Sequence, residues 1–261
     1  MPPPPTYTCY RTDGPILVDG RLDESAWQKA PWLGPFVDME HGTTVEYDTR
    51  VAFLWDDAHF YAAFRCEEPD VYGYETTEDG GVGGDCEVEV FILGEGNYYE
   101  LEMNALNTIY EVFFTWIEPL VKQQDLAAID QLFSAKRYGY APIGDTYPRR
   151  HGSFDWNFPG LQHAVQIHGT LNRPQDEDHG WTVELAFPWE GMKRLAGRRA
   201  VPPKDGETWQ VGCSRVEHWR DRTTGRVLRG RDWSICPHGK IAMHIPDRWP
   251  YVRFDTRTVG T

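Results

Sequence analysis

The chain has 261 residues, 40% of them apolar and 25% charged, and a formal net charge of −14. Those proportions suit a globular protein long enough to bury a sizeable core. The acidic balance argues against nucleic acid and anionic membrane surfaces as partners, which need a basic footprint, and favours neutral sugars or cations as ligands.

Residues 1–15 open with a run of prolines, Pro2 to Pro5, and predict an extended lead-in. They show no basic segment followed by an apolar one, so no signal peptide is expected, and the chain as given reads as cytoplasmic unless a leader was removed. No stretch of 18 apolar residues predicts a membrane span. Residues 16–261 carry no repeat and no linker and read as one domain.

Ile16 to Gly20 reads as a short strand and turn, and Asp23 as the cap of a helical turn carrying Ala26 and Trp27. Asp19, Asp23 and Glu24 cluster there as oxygen donors of the kind calcium takes, although capping and solvation also explain them. Two alternating segments follow, Arg50–Trp55 and Phe60–Arg65, with Asp56-Asp57-Ala58-His59 as the hairpin between them. Residues 66–84 are a loop ending in DGGVGG, which lacks the strand-then-helix context of a phosphate loop.

Asp85 to Phe114 is the most informative stretch. Val88, Val90 and Ile92 oppose Glu87 and Glu89; Tyr99, Leu101 and Met103 oppose Glu100, Glu102 and Asn104; Tyr110 and Val112 oppose Glu111 and Phe113. Period two joined by short turns predicts a three-stranded antiparallel meander. Its polar face concentrates glutamates, an amide and aromatics, which points to a face that holds something polar.

Residues 115–160 break the pattern with scattered prolines and a candidate helix over Lys122 to Ser134. An insertion this long is often functional, and it carries Trp116 and Trp156 among many aromatics. Strands are expected again at 161–171 and 180–187, a short helix around Met192 to Leu195, a strand over Thr208–Trp219 with Arg215, Glu217 and Trp219 on one face, a basic hairpin tip at 220–230, and a closing strand at Tyr251–Phe254. Many short strands and no long helix predict an all-β fold, an antiparallel, jelly-roll-like β-sandwich. Five cysteines, at 9, 66, 86, 213 and 236, make an odd count without a CxxC pair, so reduced thiols are expected and a zinc site is not.

The order DGRLDESAW, VAFLWDDAHFYAAFRCEEPD, EVEVFI, YYELEMNALNT, GWTVELAFPW, GCSRVE and DWS resembles the family 9 carbohydrate-binding modules, and the stand-alone family 9-like proteins above all, over nearly the whole chain from Ile16 to Phe254. The resemblance implies an antiparallel sandwich that binds sugar on a sheet face, with structural calcium in some members and glycoside-degrading enzymes as partners. It matches Glu89 and Asn104 to ligand-contacting positions. Glu102 stands where the family often has arginine. The two tryptophans that clamp a terminal sugar have no counterpart at Gly83-Gly84 or around Met243-His244.

Sugars are gripped by aromatic faces and by planar groups that contact paired hydroxyls. Glu89, Glu102, Asn104, Arg215 and Glu217 are candidates for the polar contacts, and Trp116 and Trp219 for the rings. The alternatives stay open at each: a solvated glutamate face relieved by Arg65 or Arg215, a turn role for Asn104, an edge shield for Trp219. Non-catalytic carbohydrate binding is the reading. Its rivals are a lyase or hydrolase using Glu89 and Glu102 as acid and base, a protein-contact module, and a haem module with Met103 and His163 or His168 as axial ligands.

Overall fold

The structure is a computed structural model that describes residues 1–117, 138–141 and 150–261; the candidate helix over Lys122 to Ser134 lies outside them. Two curled layers face each other. One is ordered β10 (Gln162–His168), β11 (Gly180–Pro188), β4 (His59–Cys66), β3 (Thr49–Trp55), β1 (Thr6–Arg11), β14 (Tyr251–Thr258). The other runs β2 (Val37–Asp38), β13 (Val227–Ser234), β12 (Thr208–Arg220), β5 (Glu87–Leu93), β6 (Asn97–Asn104), β7 (Ile109–Trp116), β9 (Arg150–Ser153), β8 (Tyr138–Ala141). The 13-residue β12 links them: Thr208 to Gln210 pair with β14, and Val211 to Val216 with β5.

Pairing is antiparallel except around β1, which lies parallel to both β14 and β3. The proline-rich lead-in therefore delivers a strand to the middle of a layer. The β5–β6–β7 meander forms as the alternation predicts, in register Glu89↔Glu102↔Tyr110. Strand β13 extends back into the segment expected to be only a hairpin tip. A bulge at Glu217/Trp219 accommodates it, and Gly230 is what allows the approach, since a Cβ there would sit 1.2 Å from the Glu217 carbonyl oxygen.

The main core lies between the layers. Val51, Phe53, Phe60, Phe64, Val183 and Phe187 meet Val88, Val90, Ile92, Tyr99, Leu101 and Met103 there. Met103 is fully buried in this core, which removes it as a haem ligand; His163 instead contacts Asn107 Oδ1 at 2.9 Å and His168 contacts Thr182 Oγ1 at 3.0 Å. Trp156 also turns inward, packing 4.9 Å from Phe113 and 5.5 Å from Tyr99, so it does not cover a sheet face.

A second cluster covers the outside of the β11–β4–β3 layer. The helix α1 (Ser25–Lys29) lays Ala26 and Trp27 on Ala52, Ala63 and Ala186, whose small side chains leave room for the indole. Glu184 fastens this segment: its carboxylate accepts Trp27 Nε1 at 2.7 Å, the Gly20 amide at 2.7 Å and the Asp19 amide at 3.0 Å. Ile16 to Gly20 is thus held as irregular chain, not as the expected strand. Glu24, not Asp23, is the cap residue of α1, and no side chain caps it. A single turn, α2 (Lys193–Ala196), falls where a short helix was expected. The five cysteines are free and buried.

Candidate functional site

The outer face of the meander layer is built in rows. Across β12, β5, β6 and β7, one row reads Ser214, Glu89, Glu102, Tyr110, and the next reads Gly212, Phe91, Glu100, Val112. Glu87 flanks the first row beside Asn104 and Val216. Period two therefore brings four glutamates, Glu87, Glu89, Glu100 and Glu102, to one face.

This face is not the open, solvated surface that alternation suggests. Residues 243–249 roof one half of it. There Trp249 stacks on Phe91 at 5.2 Å, Tyr98 stacks on Phe114 at 4.6 Å, and Trp116 lies 5.1 Å from Tyr98. Arg150 reaches over the same rings, 4.8 Å from Phe114, and its Nε and Nη1 have no hydrogen-bond partner among the described residues. His244 touches Tyr98 Oη through Nδ1 at 3.0 Å and Glu100 Oε1 through Nε2 at 3.4 Å. Burial, reinforced by Arg150, pushes the imidazole down to about 3. Its contact with Glu100 is therefore one between neutral groups, not an ion pair.

The other half holds the carboxyls. Glu87, Glu89 and Glu100 are buried, while Glu102, Tyr110, Val216 and Asp232 are half-buried and form the rim that meets solvent. Burial, then the neighbouring Glu102 and Glu89, hold Glu87 well above the usual carboxylate range. Burial and Glu102 do the same to Glu89, against the pull of a hydrogen bond from Ser214 Oγ. Glu100 is raised by burial, Glu102 and Glu89, with Arg150 opposing. Glu102 is pushed up to about 7 by burial. Charges taken out of water and set against like charges favour the protonated form, which makes these side chains donors as well as acceptors.

Of the residues the sequence singles out, Glu89 and Glu102 come together here. Trp116 is the last residue of β7 and sits in the roofed half. Asn104 is fully buried and its amide is spent: Nδ2 donates to Glu75 O and Asp85 Oδ2, both at 2.9 Å, and Oδ1 accepts the amides of Leu106 and Thr108, both at 3.0 Å. It shapes the β6–β7 turn.

Arg215 and Glu217 lie on the opposite face. The pairing Ser214↔Glu89 puts Arg215 beside Val88, inside the sandwich. There its guanidinium donates to Glu217 Oε2 at 2.6 Å, Glu68 Oε2 at 2.8 Å, Thr49 Oγ1 at 2.8 Å and the Glu67 carbonyl at 2.9 Å. It lies 5.0 Å from the centre of the Trp233 ring. Trp219, past the bulge, is half-buried beside Arg231 and Asp70, away from the glutamates. Glu87 and Glu100 were legible from the same alternation; Arg150, at the start of β9, and His244 and Trp249, from a distant loop, carry no local signal.

Among the described residues, two groups have ligand atoms within 4.8 Å of one another: Glu68, Cys86 and Glu217, and Glu87, Glu89 and Glu102. The first is compensated by Arg215. Asp19, Asp23 and Glu24 belong to neither: Asp19 takes the Arg21 amide and Glu24 the Leu17 amide. On the other layer an open cleft of ≈ 590 Å³ is lined by Arg21, Arg50, Arg65, His168, His179 and Trp181 among others.

No family model matches the sequence, and no curated protein does. Solved structures match the fold. A Bacteroides uniformis protein designated carbohydrate-binding aligns with a TM-score of 0.63 at 13% identity, over 97% of this chain and 100% of that one. A family 9 carbohydrate-binding module from Caldicellulosiruptor kristjanssonii, solved with glucose, aligns at 0.56 and 12% identity, over 97% and 98%. The same kind of module from that organism, solved with cellotriose, aligns at 0.55 and 11%, over 96% and 94%. The chain therefore has, from end to end, the β-sandwich fold of the family 9 carbohydrate-binding modules.

Proposed function

We propose that this protein binds carbohydrate on the outer face of the meander layer. The observation that carries the reading is the fold shared over almost the full length of modules solved with glucose and cellotriose, in a chain whose meander layer gathers carboxyls and aromatic rings on its outer face. The rim of Glu102, Asp232 and Tyr110 is the part a ligand reaches: the two carboxyls contact hydroxyls and the phenol ring stacks on a sugar face. Glu89 supports Glu102 from its cross-strand position. Arg215, Glu217 and Asn104 play no part, because their bonds are made inside the protein.

The test is calorimetric and thermal-shift titration with glucose, cello-oligosaccharides and a panel of other sugars. A ligand bound only by the native state raises the melting temperature. Glu102→Ala should abolish that rise and leave the ligand-free melting temperature nearly unchanged. No response to any sugar at millimolar concentration would refute the reading. Slow product formation that disappears in Glu89→Gln would replace it with a carbohydrate-active enzyme.

A further inference from the structure

We infer that the open cleft on the outside of the β10–β11–β4–β3 layer is a second ligand site, which takes the carboxylate or phosphate group of an anionic saccharide through Arg65 and Arg50. It lies across the core from the glutamate face and uses no residue of it. The strand pairings build it. Arg50 of β3 stands directly opposite Arg65 of β4, and Arg65 directly opposite Thr182 of β11. Each is two residues along its strand from Ala52, Ala63 and Glu184, which carry the α1 segment, so all three share the outer face. The cleft, ≈ 590 Å³, is within the size range of small-molecule sites. Arg21 lines it from the loop before α1, and His168 and His179 line it from β10 and the β10–β11 connection.

Arginines on an open sheet face would not by themselves imply a ligand. The further observation is that Arg65 has no counter-charge. Like charges directly opposite on neighbouring strands destabilise a sheet. Arg50 is answered, since its Nε donates to Asp48 Oδ2 at 2.9 Å. Arg65 is half-buried, and among the described residues its guanidinium makes no hydrogen bond and no ion pair. It stacks on Trp32 instead, 4.1 Å from the ring centre. Burial pulls the guanidinium below its ordinary value, with no carboxylate opposing that pull. The two acids lining the cleft are engaged elsewhere: Asp48 holds Arg50, and Glu67 Oε2 accepts the Asp48 amide at 2.9 Å. In a chain of net charge −14, a half-buried arginine with its whole donor fork free marks a place kept for an anion from outside.

A guanidinium makes two parallel hydrogen bonds to the oxygens of a carboxylate or a phosphate. Trp32 fixes the plane of Arg65 from one side, so little side-chain freedom is left to lose on binding. The Trp32 ring is itself held by its Nε1, which donates to the Trp27 carbonyl at 3.3 Å. Arg50 adds a second charge across the strand pair. The rest of the cleft holds the sugar ring, with His168 and His179 within reach of its hydroxyls. That a sugar carries the anion rests on the carbohydrate reading of the fold; the recognition of charge does not.

The experiment titrates the full chain by calorimetry, at neutral pH and low salt, with digalacturonate, glucose 6-phosphate, inorganic phosphate and neutral cellobiose. Cellobiose probes the glutamate face, so the two readings fail separately. One molecule per chain of digalacturonate, glucose 6-phosphate or both is expected, and the pattern names the anion. Affinity should fall severalfold as NaCl rises from about 20 to about 200 mM, because the cleft is open to solvent. Arg65→Gln removes one of two facing like charges; it should melt within about 2 °C of the wild type and lose affinity at least about tenfold. Arg50→Gln, on the neighbouring strand, should also weaken binding and gives an independent reading should Arg65→Gln fold poorly. Arg226→Gln, at an exposed site in the β12–β13 turn outside the cleft, should bind as the wild type does. Inorganic phosphate bound as tightly as glucose 6-phosphate would overturn the assignment of a saccharide. No binding of any anion at about 10 mM would overturn the site as a whole. So would an affinity unchanged in both Arg65→Gln and Arg50→Gln, or one lost in Arg226→Gln instead.

Discussion

Replacing Arg215 by methionine separates two roles that the sequence leaves undistinguished, ligand contact and interior ion pair. The side chain is 0% exposed and joins Glu217 and Glu68 while bonding Thr49 and the Glu67 carbonyl. Burial and Glu217 already push Glu68 well above the ordinary carboxylate range, so the neutral acid is its favoured form and Glu217 is the charge Arg215 chiefly compensates. Methionine fills a similar volume but leaves that carboxylate buried and unpaired. Breaking a buried pair from one side costs about 3–5 kcal/mol. For a chain of this size that corresponds to a fall in melting temperature of about 6–20 °C. The assay is urea and thermal unfolding followed by tryptophan fluorescence, since Trp233 lies against the guanidinium. The double variant Arg215→Met with Glu217→Leu should recover most of the loss, because no uncompensated charge remains. A single variant within about 2 °C of the wild type, below about 1 kcal/mol, that nonetheless loses ligand binding would show that Arg215 faces a ligand and that the β12 register is wrong.

Other substitutions test the same architecture. Glu184→Ala strips the acceptor from Trp27 Nε1 and from two backbone amides; a loss of about 3 kcal/mol is expected, with faster hydrogen exchange at Asp19 and Gly20, and unchanged exchange there would exclude the fastening role. Asn104→Ala leaves the amides of Leu106 and Thr108 without their acceptor and should lower stability by about 2–4 kcal/mol; selective loss of ligand affinity at an unchanged melting temperature would return Asn104 to the binding face. His238 is buried against the Ala242 carbonyl at 2.6 Å, and burial pushes it down to about 4. Its neutral form is the native one, so its contribution is complete above the ordinary value near 6.5 and is lost as pH falls towards 4, about 3 kcal/mol in all. Wild type should therefore lose stability relative to His238→Gln across that window, and parallel pH profiles of the two proteins would contradict it.

The meander and its two faces were legible because β5, β6 and β7 alternate cleanly and are joined by short turns, so neighbouring residues decide which side each faces. The strands β3, β4 and β11 were legible for the same reason. The parallel lodging of β1 between β14 and β3 was not, because it joins segments more than 240 residues apart. The roof of the acidic face was equally hidden. Trp249 and His244, from a loop, and Arg150, from the start of β9, reach the Glu100 row from segments whose own patterns hold no trace of that contact.

At the candidate site the division falls between neighbouring residues. The spacing of Glu87, Glu89, Glu100 and Glu102 by itself determined that they share one face of the meander, since a strand has period two. It could not determine that burial and mutual repulsion would hold Glu87, Glu89 and Glu100 well above the usual carboxylate range. The tertiary structure alone decided Arg215. In the stretch Ser214-Arg215-Val216-Glu217 the charged residues look like the solvent side and Val216 like the core. Pairing Ser214 with Glu89 reverses both, because a register shift of one residue exchanges the faces of a strand. The interior can take an arginine there only because Glu217 and Glu68, the latter brought from 147 residues away, meet its charge.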